Sequence, residues 1–79
     1  MDKPLHLDLR GLKCPMPVLR TRKALRTMQP GSRLVVEATD PLSSIDIPNF
    51  CREDGHVLLD AAESSGVRRF LIEKGGQAL

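Results

Sequence analysis

Seventy-nine residues with a hydrophobic fraction of 41% suffice for one small domain, and with Phe50 and Phe70 as the only aromatics its core must be mostly Leu, Ile and Val. A net charge of +2 excludes a strongly polyanionic or polycationic chain, and no apolar run approaches the ~18 residues of a bilayer span. Two cysteines, Cys14 and Cys51, are too few for a disulfide scaffold. With no signal-peptide-like apolar stretch near Met1, the expected location is the cytoplasm, where both stay thiols.

The first element is a half-buried strand over Leu5–Leu9, because "LHLDL" alternates and puts Leu5, Leu7 and Leu9 on one face. Gly11 ends it. Pro15 and Pro17 then open a helix, since a first-turn residue has no intrahelical partner for its N–H and the fixed φ of proline suits that position. At 100° per residue, Val18, Thr21, Ala24, Leu25 and Met28 share an inward arc, with Arg20, Lys23 and Thr27 opposite. Pro30-Gly31 marks a turn.

"RLVVEAT" (Arg33 to Thr39) is a second strand, with Leu34, Val36 and Ala38 on one face. The second helix has two possible starts. Asp40 can cap it with Pro41 in first place, or Asp46 can cap a shorter helix carrying Pro48 in its first turn. The reading preferred from sequence is a turn followed by a helix from about Ile47, with Ile47, Phe50 and Cys51 inward and Gly55 closing it. "HVLLDAA" and "VRRFLIEK" then form a hairpin around the loop Glu63-Ser64-Ser65-Gly66. The order β-α-β-α-β-β predicts an α+β two-layer sandwich, a four-stranded mixed sheet with two helices on one face. Residues 1–79 form a single domain, with 75–79 expected to be a disordered tail.

Charge is distributed unevenly along this framework. Between Leu9 and Val36 there is no Asp or Glu, while Arg10, Lys13, Arg20, Arg22, Lys23, Arg26 and Arg33 all fall there. Cys14 lies inside this basic half, in "CPMP", where the two prolines pin the start of the helix. Free helical N–H groups and the positive end of the dipole should face a thiol held there, and Lys13 adds to the field. The expectation is a Cys14 thiolate stabilised below the free-cysteine pKa of ~8.5.

The available chemistry narrows by elimination. Pro17 occupies the fourth position of a would-be CxxC pair. Papain-like catalysis needs a histidine base, and His6 and His56 both stand in strand contexts. The same histidines with Cys14 and Cys51 lack the short spacings of a zinc site. A group-carrying thiol fits better than a turnover catalyst, and no cofactor or resident metal is expected. Met16 and Leu19 fall outside the core arc beside Cys14 and are rimmed by Arg20 and Lys23, the composition of a partner-docking patch.

The stretches "LDLRGLKCPMPVLRTRKAL", "DPLSSIDIPNFC" and "GHVLL" resemble the TusA/SirA-like sulfur-carrier family over nearly the whole chain. The signature Gly-Leu-x-Cys-Pro-x-Pro is met by Gly11, Leu12, Cys14, Pro15 and Pro17. The resemblance implies that Cys14 carries sulfane sulfur as a persulfide, with Asp8, Arg22 and Asp40 matching polar positions near it. It implies a cysteine desulfurase or other sulfurtransferase as donor and a relay protein as acceptor, in tRNA 2-thiouridine synthesis, molybdenum-cofactor assembly or other sulfur metabolism. Between the prolines, where the tRNA-thiolating branch often has an acid, this chain has Met16. A monomer without membrane association or stable nucleic-acid binding is expected.

Three rival readings differ in class. Gly75-Gly76 invites a ubiquitin-like thiocarboxylate carrier, but Gln77-Ala78-Leu79 follow and that chemistry needs a free terminal glycine. A small basic nucleic-acid- or protein-binding regulatory module would use the first helix, which lacks aromatics for base stacking. A Cys14/Cys51 redox switch would need Cys51 accessible, whereas its place beside Phe50 suits a core thiol.

Overall fold

The computed structural model describes residues 3–76. Alternation makes β1 (Leu5–Leu9) a strand with one apolar face, buried at Leu9, half-buried at Leu7 and exposed at Leu5. The helix α1 (Met16–Arg26) starts directly after Pro15, with Pro17 in its second position, where the missing N–H removes no intrahelical bond. Thr21 and Leu25 are buried, and Val18, Ala24 and Met28 pack against the core; Arg20, Lys23 and Thr27 face water. Lys74 Nζ donates to the carbonyls of Leu25 and Met28 at 2.6 and 3.1 Å, which sets a cation at the C-terminal end of α1.

The strand β2 (Arg33–Ala38) runs parallel to β1, which it reaches through α1, and antiparallel to β4 (Val67–Glu73). β3 (Val57–Ser64) closes the sheet in the order β1-β2-β4-β3. Leu34 and Val36 of β2 pair in register with Ile72 and Phe70 of β4, and these alternate positions meet Leu25 of α1 and Ile47, Phe50 and Cys51 of α2 (Ser43–Asp54) in one cluster. Both helices therefore cover the same face, and the expected two-layer sandwich is what forms. The opposite face carries Arg33–Glu73 and Arg69–Glu37 ion pairs at 3.9 and 3.1 Å. Such a face can meet water because the sheet is mostly antiparallel.

Two boundaries differ from expectation. The helix α2 begins at Ser43, not near Ile47, and Pro48 lies inside it. Neither expected start is met: Leu42 is the N-cap residue and has no side-chain cap, and Asp40 shapes the turn ahead of the helix, its Oδ1 accepting the Leu42 N–H at 3.1 Å and its carbonyl the Ser43 hydroxyl at 2.7 Å. Pro48 forfeits one helical bond, and the fully buried Ile47 and nearly buried Phe50 hold the segment helical despite it. The hairpin loop is shorter than expected: Glu63 and Ser64 pair with Arg68 and Val67, leaving Ser65-Gly66 as the turn. Both have positive φ, 52° and 80°, the two-residue geometry that matches the twist of paired strands. Of the expected tail, Gly75 donates its N–H to His56 Nδ1 at 3.0 Å. Residues 77–79 lie outside the described residues.

Candidate functional site

The site forms where β1 and β2 end side by side. Gly11, at φ +86°, turns the chain out of β1, and its N–H donates to Thr39 Oγ1 at 2.8 Å. The Leu12 N–H returns to the Leu9 carbonyl and the Met16 N–H to the Lys13 carbonyl, so Leu12–Met16 is a chain of tight turns feeding α1. Pro15 is the N-cap residue and supplies no side-chain cap. Pro17 is buried, and its carbonyl accepts the buried Thr21 hydroxyl at 2.7 Å. Cys14 thus sits one residue ahead of the N-cap, exposed, with its neighbour Lys13 also exposed.

The partners of Cys14 come from α2 and the turn before it. Its backbone N–H donates to Asp40 Oδ2, and its thiol donates to Asp46 Oδ2 at 3.0 Å. The thiol pKa is raised above the ordinary cysteine value, first by that hydrogen bond, then by burial, then by the charges of Asp46 and Asp40. This overturns the expectation of a stabilised thiolate. The basic run around Cys14 is continuous in sequence, but the turn after β2 and the helix α2 bring the carboxylates of Asp40 and Asp46 to the cysteine, where they favour the protonated thiol. Cys51 is a different thiol, buried in the core and pushed up to about 11 by burial and by Asp54.

The remaining expected residues divide. Asp40 is at the site. Asp8 pairs instead with Arg10, Oδ1 to Nε at 2.8 Å, which holds its carboxyl at about 2. It alternates with Leu7 and Leu9 and so belongs to the sheet face opposite the helices. Arg22 fastens the seam between the helices, its Nε 3.4 Å from Asp54 and its guanidinium 5.1 Å from the Phe50 ring centre. Among the described residues neither Asp8 nor Arg22 hydrogen-bonds to Cys14. Met16 and Leu19 are 36% and 45% exposed, and Arg20 and Lys23 are exposed as well. His56 is half-buried, tilted against Phe50 with ring centres 5.5 Å apart.

Sequence reasoning missed three residues: Asp46, the acceptor of the thiol, and Leu42 and Ile45 beside it, 50% and 59% exposed. A signal was present in the alternative helix start. Beginning at Asp40-Pro41 puts Leu42 and Ile45 on a turn away from the Ile47, Phe50 and Cys51 arc. Among the described residues, no helix is long and apolar enough to cross a membrane.

Comparison with known proteins agrees with this architecture. The family described as sulfurtransferase TusA matches residues 6–74. Two proteins of Neisseria meningitidis, one from serogroup A and one from serogroup B, are named as candidate sulfur carriers. Each is 52% identical over 67 residues, covering 85% of this chain and 90% of the relative. The crystal structure of a SirA-like protein from Desulfitobacterium hafniense superposes with a TM-score of 0.80 at 25% identity, covering 90% of this chain and 97% of that one. The chain, a β-α-β-α-β-β sandwich with its exposed cysteine ahead of the first helix, belongs to the TusA family of sulfur carriers.

Proposed function

We propose that Cys14 accepts sulfane sulfur as a persulfide from a cysteine desulfurase or another sulfurtransferase and hands it to an acceptor thiol of a relay protein. The observation that carries this reading is the contrast between the two thiols. Cys14 is exposed at the start of α1, whereas Cys51 is sealed in the core with a pKa of about 11. A carrier thiol must meet a partner's sulfur in line, and of the two only Cys14 can do so.

The surrounding residues have supporting roles in this proposal. Pro15, Pro17 and the Asp40 contact fix the backbone on which the sulfur is presented, and Lys13 offers a cation beside it. Met16 and Leu19, extended by Leu42 and Ile45 and rimmed by Arg20 and Lys23, form the surface on which donor and acceptor dock in turn. Arg22 serves through the helix seam rather than at the sulfur, and Asp8 through its pair with Arg10. Downstream, the resemblance offers tRNA 2-thiouridine synthesis, molybdenum-cofactor assembly or other sulfur metabolism.

The test is incubation with a cysteine desulfurase and cysteine, followed by intact-mass measurement. The expected result is the mass of one added sulfur atom, removed by reductant, lost in Cys14→Ser and kept in Cys51→Ala. Sulfur uptake that survives Cys14→Ser would overturn the assignment.

A further inference from the structure

We propose that Asp46 sets how firmly Cys14 holds its cargo: its carboxylate favours the empty thiol over the loaded persulfide, so the carrier is biased toward passing sulfur on. The inference rests on the reading of Cys14 as the carrier thiol.

The exchange in question is Cys14–SH + R–S–SH giving Cys14–S–SH + R–SH. The bond between the two sulfurs of R–S–SH breaks, a bond forms from Cys14 Sγ to the outer sulfur, and the Cys14 proton ends on the thiol R–SH. The transferred sulfur keeps its oxidation state, so no oxidant or reductant is consumed.

In the empty state Sγ carries a hydrogen and donates it to Asp46 Oδ2 at 3.0 Å. After loading, Sγ has no hydrogen. That bond is gone, and the Asp46 oxygen must turn to water. A persulfide is also a stronger acid than the thiol it comes from, so its outer sulfur is largely anionic at neutral pH. That anion emerges beside Asp46 and Asp40, which both bond to Cys14. Loss of the hydrogen bond and like-charge repulsion act in the same direction, against the loaded form. The N-terminus of α1 and Lys13 pull the other way, and changing Asp46 leaves both in place, so the carboxylate can be read in isolation.

The experiment equilibrates the full chain in a buffer of glutathione persulfide and glutathione at a fixed ratio. Samples are quenched with iodoacetamide, and the ratio of loaded to empty Cys14 is read by intact mass. Asp46→Asn should raise that ratio about three- to tenfold, a range set by one charge-assisted hydrogen bond at an exposed, salt-screened site. Glu53→Gln, an equal charge change at the exposed far end of α2, should leave it unchanged. Asp46→Ser is made in parallel, and whichever variant melts like wild type is read. An unchanged or lowered ratio in the Asp46 variants, with wild type loading normally, overturns the role of Asp46 alone. A similar rise in Glu53→Gln would reduce the effect to net charge and overturn it too. Wild type that takes up no sulfur at all while Cys14 still alkylates would instead bring down the carrier reading, and this inference with it.

Discussion

The thiol of Cys14 donates its hydrogen to the carboxylate of Asp46, 32 residues further along the chain. The bond exists only in the protonated state, so it raises the pKa, and the charges of Asp46 and Asp40 add to it. The rate of Cys14 alkylation should therefore rise with an inflection above that of an ordinary cysteine. Asp46→Asn should move the inflection down and speed alkylation at pH 7. Stopped-time labelling with iodoacetamide across pH, in a Cys51→Ala background, checks this. An inflection below the ordinary value in wild type would mean that the dipole of α1 outweighs the carboxylates after all.

Arg22 gives a prediction of the opposite kind, because its partners are Asp54 and the Phe50 ring rather than the sulfur. Arg22→Met keeps the apolar stem and removes the charge. The variant should lose about 0.5–1 kcal/mol, the sum expected of a half-exposed ion pair and one cation–ring contact. Cys14 alkylation should hardly change. Urea melts and labelling rates measured on one preparation separate the two roles, and a large change in labelling would place Arg22 functionally at the site.

The exposed apolar residues near Cys14 should matter for transfer and little for folding. Met16 and Leu19 stand outside the inward arc of α1, and their joint replacement by Gln should shift stability by less than about 0.5–1 kcal/mol. Desulfurase-dependent loading should slow in that variant, and further when Leu42 and Ile45 are also changed. A marked fall in melting temperature for the Met16/Leu19 pair would make them packing residues instead.

His56 and Gly75 tie the end of β4 to the turn after α2. Burial is the largest influence lowering the His56 pKa, with Lys74 adding to it and Asp54 opposing it. A folded pKa below the unfolded value of ~6.5 means that stability from this group is complete above that pH. It is lost as pH falls through the folded pKa. Protonation of Nδ1 also removes the acceptor of the Gly75 N–H. Wild type should therefore lose more stability than His56→Gln between pH 7.5 and 5, read as urea midpoints. Gly75→Ala should fail at neutral pH by about 1–2 kcal/mol, because the new Cβ would stand 1.8 Å from the Gly55 carbonyl oxygen.

How legible the protein was in its sequence depends on the range over which each feature is fixed. The alternation of Leu5, Leu7 and Leu9 and the helical period of Thr21 and Leu25 are local, and both elements form as expected. The start of α2 is a contest between two local signals. Pro48 argues for a late start and Asp40-Pro41 for an early one, and the helix begins between them at Ser43, after a turn that Asp40 holds through Leu42 and Ser43. The electrostatics of Cys14 are not local at all. The acid-free run from Leu9 to Val36 suggests a positive environment, and only the tertiary fold, with β2 ending beside β1 and α2 following it, brings Asp40 and Asp46 to Cys14. Arg22 and Asp8, placed near the cysteine by resemblance alone, illustrate the same limit: their partners are Asp54 and Arg10.

Pro17 permits the sharpest comparison between the two views. From sequence, two prolines hold Cys14 against the free N–H groups of α1, so Pro17→Ala should weaken that field and raise the thiol pKa. With Asp40 and Asp46 bonded to Cys14, the opposite sign is expected. Pro17 is buried in the first turn of α1, three residues along the chain from Cys14, where its carbonyl accepts the Thr21 hydroxyl. Replacing it by Ala removes a buried ring and loosens the turn that carries Cys14, at a cost of about 1 kcal/mol. A looser turn lengthens the bond from Sγ to Asp46, so the pKa should fall toward the ordinary cysteine value. The measurement is the alkylation profile of Cys14 with and without Pro17→Ala, repeated on the Asp46→Asn background. There the proline change should no longer lower the pKa, because the bond through which it acts is gone. A rise in pKa on the wild-type background would restore the α1 N–H groups as the dominant influence on the sulfur.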